Sequence, residues 1–466
     1  LSIKLLIIKN FIMKKVLLSL SLISLSLASG QSWTPQGIKQ ATSFAPREIS
    51  IVDANTVWIS IYDGSGANTY PKTFSKTVDG TNWTSGTVTG PVSAALVGDI
   101  SAVDANTAWV VTAPSTGTNG NGIWKTTNGG AAWTRQGTTS APYSSASFAN
   151  VIYFWDANEG FTAGDPVGSA FQIFRTTNGG TTWTAVANAP APLAGVEYGL
   201  TGVKTVTGNS VWLGTTKGRI LRSNDRGATW TAHVTPALDF GGGSAGGGVD
   251  GSSAKMAFKD ANNGLLIAID NEVDAVMYST TDGGANWNPV EATGTWFFGD
   301  LTYVPGTANT YVTTGINSNA AQGTGSAYTR DGGLTWTIID NIAGASGGQR
   351  GTVSFLNSTT GWCGFFSDGP TGSAGIFKFV GDLSLAVNEA SAKANLQVYP
   401  NPAVDVVNLT ANKEIKSVNI YDLSGKKVKS VNDAKQINVS NLAKGTYILQ
   451  AYYGNGSVEN TKFIKK

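Results

Sequence analysis

The feature that most limits what this chain can fold into is a turn-and-tryptophan segment that returns six times. The copies are Thr77 to Trp83, Thr126 to Trp133, Thr176 to Trp183, Ser223 to Trp230, Thr280 to Trp287 and Thr329 to Trp336, and successive tryptophans stand 50, 50, 47, 57 and 49 residues apart. A period of that length marks one supersecondary unit repeated along the chain. Each segment has the chemistry of a self-contained hairpin turn. Asp79, Asn128, Asn178, Asp225, Asp282 or Asp331 can accept from amides of its own turn, a glycine can take the left-handed conformation, and the flanking Thr or Ser can bond back. The closing residue (Trp83, Trp133, Trp183, Trp230, Trp287 or Trp336) opens the next strand and is large enough to wedge between neighbouring sheets.

Upstream of each turn lies a short alternating strand, a tight Asp/Asn turn and a second strand, as in Ile49 to Trp58, Ile100 to Trp109 and Val151 to Phe161. There are seven such pairs against six turn segments. The odd tryptophan stands at the other end, where Ser32-Trp33-Thr34 has the signature that follows a turn but no turn before it. Sheets arranged in a ring avoid an exposed edge if the first strand of the chain completes the last sheet. The pattern therefore predicts an all-β chain: a seven-bladed β-propeller over residues 31–380, closed by the strand Trp33 to Ile38, and then a small Ig-like β-sandwich. A six-bladed ring with a stray strand pair is the alternative. The run from Gly241 to Gly248 reads as a flexible connector that accounts for the 57-residue spacing.

The segments resemble the Asp-box, or BNR, repeat of propellers such as sialidases, the Vps10/sortilin propeller, xyloglucan-degrading hydrolases and photosystem II assembly factor-like proteins. The resemblance implies the fold and leaves the activity open, because one propeller hosts many functions. Sialidases clamp a carboxylate with three arginines and carry a Phe/Tyr-Arg-Ile-Pro motif. That motif is absent here, and of eight arginines only Arg47 and Arg350 fall before an innermost strand.

Composition agrees with a turn-rich scaffold. Charged residues are 13%, against the roughly 25% usual for soluble domains, and there are 58 glycines and 14 tryptophans. The net charge of +2 divides into +4 over residues 1–30, −7 over 31–385 and +5 over 386–466. The acidic middle lacks the basic field that nucleic-acid binding needs. A single cysteine, Cys363, excludes an intramolecular disulfide and a cysteine zinc site. A single histidine, His233, makes a Ser-His-Asp triad a poor fit, and both residues read as structural.

Met13-Lys14-Lys15, the apolar run Val16 to Leu27, and small residues at Ala28 and Gly30 read as a signal peptide over residues 13–30, with residues 1–12 upstream of it and maturation before Gln31. The apolar run is too short for a hydrocarbon core that needs about twenty residues, so no permanent transmembrane anchor is expected. At the other end, a linker over 381–395 leads into residues 396–466. Tyr399-Pro400-Asn401-Pro402, the turn at Gly425, and Gly445-Thr446-Tyr447 resemble, in order and spacing, the type A C-terminal sorting domain of the Bacteroidota type IX secretion system. That resemblance implies handling by the type IX machinery and its sortase, and a product secreted or attached to the outer-membrane surface by way of the periplasm.

The face opposite the boxes should carry the function. Its carboxylates Asp63, Asp165, Asp270, Asp300 and Asp368 are the candidates for a glycoside-hydrolase pair, and Tyr198, Trp296, Phe297 and Arg350 are the candidates for ligand contact. Asp270, Glu272 and Asp274 offer the oxygen ligands calcium takes, without the glycine and distal glutamate of an EF-hand loop, so no cofactor is expected. These readings favour a secreted or surface-attached, non-catalytic propeller that binds a glycan or protein. A secreted glycoside hydrolase and an envelope assembly factor are the alternatives.

Overall fold

A computed structural model describes residues 31–384 and 396–466, apart from short segments at 66–70, 92–94, 115–121, 138–141, 144–146, 194–196, 242–251, 271–273, 317–322, 341–348, 368, 412–413, 433–434 and 455–457. The expected signal peptide, most of the linker, Glu272 and Asp368 lie outside the described residues. Every named element is a β-strand, and no helix among the described residues is long and apolar enough to cross a membrane.

The repeated turn builds itself. In five copies the leading Thr or Ser hydroxyl accepts the amide four residues on at 2.8–3.0 Å, for example Gly130 to Thr126 and Gly333 to Thr329. The Asp or Asn carbonyl or carboxylate oxygen accepts the amide of the residue before the tryptophan, again at 2.8–3.0 Å. The shorter first copy achieves the same through Asn82 and Asp79 at 2.7 Å. The amide between them donates to the upstream Asx turn, as Gly80 does to Asn55, Gly179 to Asn158 and Gly332 to Asn309. Both turns of each unit therefore share one side, the box face. The loops between second and third strands, and the junctions between sheets, share the other, which we call the loop face. In the fourth copy Arg226 occupies the left-handed position, at φ 56°, where most other copies have glycine.

Seven four-stranded antiparallel sheets result. Six run in chain order over residues 44–87, 95–135, 149–185, 199–234, 253–289 and 300–340. The seventh takes Val353–Asn357, Thr360–Gly364 and Gly375–Val380 and adds the N-terminal strand Ser32–Gly37, paired with Gly375–Val380, as its outer member. Seven apolar clusters lie between successive sheets. Trp58 packs with Trp133, Trp109 with Trp183, Phe161 with Trp230, Trp212 with Trp287, Leu265 with Trp336, Val312 with Trp33, and Trp362 with Trp83. The last cluster joins the seventh sheet to the first, and Trp33 fills the place that a box tryptophan fills elsewhere.

Polar contacts reinforce the same seams. The Trp58, Trp109 and Trp212 indoles donate to carbonyls of the next unit's turns at 2.9–3.1 Å. A cation one residue before the turn motif lies over the second-strand tryptophan and reaches the same turns. Lys76 is 4.6 Å from the Trp58 ring centre and donates to Ala105, and Lys125 is 4.7 Å from that of Trp109 and donates to Gly179. Lys378 is 5.3 Å from the ring centre of Trp362 and donates to Gly80 in the first sheet.

A separate compact unit, described from Leu396, holds a three-stranded and a four-stranded sheet around Val407, Leu409, Val418, Ile420, Leu449 and Phe463. Its Tyr399-Pro400 and Asn401-Pro402 peptides are cis. Asn401 accepts the Ile464 amide at 2.9 Å, which ties the Pro-Asn-Pro segment to the last strand. Gly425 turns at φ 80°, and Tyr447 stacks on Phe463 while its hydroxyl donates to Ala443.

Two consequences can be measured. Trp33 is 8% exposed, lies edge-on to Phe355 and Phe379, and donates to Ser326 at 2.8 Å. Trp33→Ala should cost about 3–5 kcal/mol, read as a lower denaturant midpoint of the propeller transition; an unchanged midpoint would show that the N-terminal strand is dispensable. The second concerns acid. Side-chain and amide hydrogen bonds from Asn82 and Asn286 hold the Asp79 and Asp282 carboxyls well below the usual carboxylate range. Groups depressed in the folded state contribute stability that is present above the unfolded pKa, roughly 3.9, and lost as pH falls below it. The melting temperature should therefore fall progressively as pH drops from about 4 toward 2, and Asp282→Asn, the residue boxes two and three already carry, should make that fall shallower.

Candidate functional site

The inner strands of the sheets carry a recurring triplet of acid, aliphatic and hydroxyl residues: Glu48-Ile49-Ser50, Asp99-Ile100-Ser101 and Asp300-Leu301-Thr302. Cross-strand register places the three acids at one level, each opposite the residue two beyond the seam position (Ser60, Val111 and Thr314 after Trp58, Trp109 and Val312). Asp99 accepts its neighbour's amide from Ile100 and, across the seam, that of Ile152, both at 2.8 Å. Asp300 does the same with Leu301 at 2.9 Å and Val353 at 2.8 Å. The hydroxyls continue the seam, with Ser50 accepting the Ala102 amide and Ser101 that of Phe154.

Lys204 enters this level from the fourth sheet and pairs with the fully buried Asp99 at 2.7 Å. Glu48 takes a different course from the two aspartates. Its carboxyl spans from the first sheet to the fourth, 3.8 Å from Lys204 and directly against Gly202. A Cβ at Gly202 would stand 2.0 Å from Glu48 Oε1, and the backbone there has φ 77°, so only glycine leaves room for the acid. Arg47 and Lys255 join Lys204, Glu48 and Asp300 in lining a cavity of about 750 Å³, with Asp99 paired to Lys204 behind it. At the loop side it is bordered by Tyr62, Phe365 and Phe366, all half-buried, with Tyr62 and Phe366 ring centres 6.0 Å apart.

Burial sets the electrostatics. It raises Glu48 to about 8, with Asp99 and Asp300 adding to the rise and Lys204 and Arg47 opposing it. Burial likewise raises Asp300 against the pull of Lys255. For Lys204 burial acts downward, but Asp99 and Glu48 outweigh it and hold the ammonium above its ordinary range.

Of the residues singled out from sequence, Asp300 and Arg47 join this cluster. Asp165, at the loop-side end of the third sheet, is pushed up to about 6 by burial and is held by the Asn150 side chain at 2.8 Å and the Gly199 amide at 3.0 Å. Asp63 accepts the Ser65 amide in an open turn. Asp270 accepts from Ser252 and faces Asp274 across a hairpin, and both aspartates are exposed. No group of three or more metal-ligating side chains is found among the described residues. Tyr198 is half-buried, with its amide on Thr216. Trp296 is half-buried and packs edge-on against Phe298, while Phe297 is core, 3% exposed, set against Gly315 and Gly323. Arg350 is 3% exposed, paired with Asp340 at 2.7 Å and stacked 4.1 Å from the centre of Phe377, so its guanidinium faces the protein. His233 lies in an outer strand beside Thr231, and Cys363 is fully buried. The channel charges other than Arg47 and Asp300 were missed; the triplet was the signal that could have found Glu48 and Asp99.

Residues 75–253 match the family described as photosynthesis system II assembly factor YCF48, and residues 397–466 match that described as secretion system C-terminal sorting domain. The chain thus joins an Asp-box (BNR) propeller region to a secretion sorting domain. Among solved structures, YCF48 from Cyanidioschyzon merolae aligns at 15% identity over 76% of this chain and 99% of that one, with a TM-score of 0.51, a likeness of fold. A structure of YCF48 bound to D1 peptide aligns at 15% identity over 76% and 97%, TM-score 0.48, and a Trypanosoma rangeli sialidase at 10% identity over 93% and 89%, TM-score 0.42. No curated protein matches.

Removing one member of the buried pair tests the electrostatic frame. Lys204→Met leaves the fully buried Asp99 without its cation and should destabilise the propeller by about 3–5 kcal/mol, whereas Lys204→Met with Asp99→Asn should recover much of that loss in chemical denaturation. Additive losses in the double variant would contradict the pairing.

Proposed function

We propose that this chain is an exported, non-catalytic binding protein. Its seven sheets form a seven-bladed propeller closed by the strand Ser32–Gly37, and the loop-side mouth of its central channel binds a glycan or a protein. The observation that carries the reading is the cavity of about 750 Å³ bordered on that side by the half-buried rings of Tyr62, Phe365 and Phe366. Concave sites lined by aromatic groups and a few fixed polar groups are where proteins hold ligands. Export through the type IX route to the cell surface is supported by the sorting-domain match over residues 397–466, and the segment Met13 to Gly30 is read as the signal peptide that precedes it.

The state of the carboxylates argues against hydrolysis. Asp99 and Asp300 each accept two backbone amides, which leaves Glu48 as the one acid of the cluster without such a commitment among the described residues. A glycosidase needs two carboxyl groups free to act in different protonation states. A second reading, an assembly factor for an envelope complex, draws on the match of residues 75–253 to an assembly-factor family.

Screening the full chain against glycan arrays and candidate surface proteins, with a parallel assay for released sugar, separates these readings. Binding without product release is expected, weakened about tenfold or more by Tyr62→Ala at unchanged melting temperature. Sugar release from any polysaccharide would contradict the non-catalytic reading.

A further inference from the structure

The hydrogen-bond inventory of the channel is lopsided. Its aspartates are occupied, Asp99 by two amides and Lys204, Asp300 by two amides. The inner strand edges are occupied too. Ser50 and Ser101 accept amides of the following sheet, and Thr205 and Thr207 donate to the Met256 and Phe258 carbonyls. An extended peptide that adds itself as a strand relies on such main-chain groups, and here side chains already cap them.

Two donors are in a different state. Arg47 on the first sheet and Lys255 on the fifth both line the cavity, both are half-buried, and neither makes a hydrogen bond or ion pair with a described residue. Arg47 Nε is buried with no hydrogen-bond partner. A buried donor left unpaired costs roughly 1–3 kcal/mol, a cost that an acceptor supplied from outside would remove. The Arg47 guanidinium sits 5.6 Å from the centre of the Tyr62 ring, and Phe366 adjoins Tyr62. The loop-side mouth therefore presents a planar cation beside flat apolar rings.

Building on the binding role proposed above, we infer that the channel mouth takes an acidic saccharide, with the sugar carboxylate on Arg47, the sugar face on Tyr62 and Phe366, and Lys255 donating to a further oxygen. A guanidinium matches a carboxylate through two parallel hydrogen bonds, and the rings offer the apolar face that a sugar also needs. The local charge supports an anion. Glu48 faces Lys204, Arg47, Asp99 and Asp300, with Tyr62 and Tyr153 also lining the cavity, and burial pushes it up to about 8. Near neutral pH the Glu48 carboxyl is therefore largely neutral, which leaves the cationic side chains Arg47, Lys204 and Lys255 lining the cavity beside it.

Calorimetric titration of the full chain with three probes tests this: short galacturonate oligomers, their neutral methyl esters, and an acidic peptide. The acidic oligomers should bind, the esters about tenfold or more weakly. Arg47→Gln and Lys255→Met should erase the preference for acid over ester, and Arg47→Lys should keep part of it, at melting temperatures close to the parent. Affinity for the acidic form should fall as pH rises through about 8, because Glu48 then ionises, and Glu48→Gln should remove that fall. Equal binding of acid and ester, full binding by a folded Arg47→Gln variant, binding of the peptide alone, or no binding of any uronate oligomer would each overturn the acidic-saccharide inference. Only the absence of any effect of Tyr62→Ala on every ligand that binds would also remove the channel mouth as the binding site.

Discussion

The contact on which the rest of the molecule depends is the seam between one sheet and the next. A second-strand tryptophan or its apolar equivalent meets the box tryptophan of the following sheet, and at three seams the indole N–H donates to the following unit's turns. Burial of a large aromatic contributes several kcal/mol, while a single exposed hydrogen bond contributes about one. The wedge therefore supplies the energy, and the indole and lysine donors fix how far each sheet is turned against its neighbour. Because the box itself is satisfied within a single turn, the unit can be repeated with different loops attached. The seventh sheet has no box, and Trp33 reaches its cluster from the start of the chain instead.

The seams also explain the channel. Inner strands have one edge without a strand partner, and unpaired backbone amides there would be costly if buried. Asp99, Asp300, Ser50 and Ser101 resolve this by accepting amides of the adjacent sheet, which brings acids to the inner edges of the sheets. Once Lys204 compensates Asp99, the remaining groups are those with capacity to spare. Glu48 reaches across to Gly202, and Arg47 and Lys255 keep their donors. The proposed site is thus a by-product of closing strand edges, at the place where the compensation is incomplete.

Much of the scaffold was legible because it is local. The boxes, the Asx turns that answer them and the sorting-domain motifs are set by residues within a few positions of one another, so spacing and residue type suffice. Even the role of Trp33 could be read, since a tryptophan lacking its turn implies a sheet lacking a strand. The site was less legible for a physical reason. Arg350 and Phe297 have the composition of ligand contacts, yet one is paired with Asp340 and the other fills space against glycines, and neither partnership leaves a mark near them in sequence. Conversely, Glu48 and Asp99 sit in strands where alternation suggests ordinary core. Their recurrence as an acid-aliphatic-hydroxyl triplet becomes informative only once the strand edge they serve is known.

We place ligand binding at the loop-side channel mouth and not at the box face. Hydrogen–deuterium exchange of the full chain with and without a bound acidic oligosaccharide addresses it most directly. Added protection is expected only at residues 44–49, 62–65, 253–257 and 364–367, around Arg47, Tyr62, Lys255 and Phe366. Protection concentrated on the turns that carry Asp79, Asp282 or Asp331, with none at the channel mouth, would contradict it.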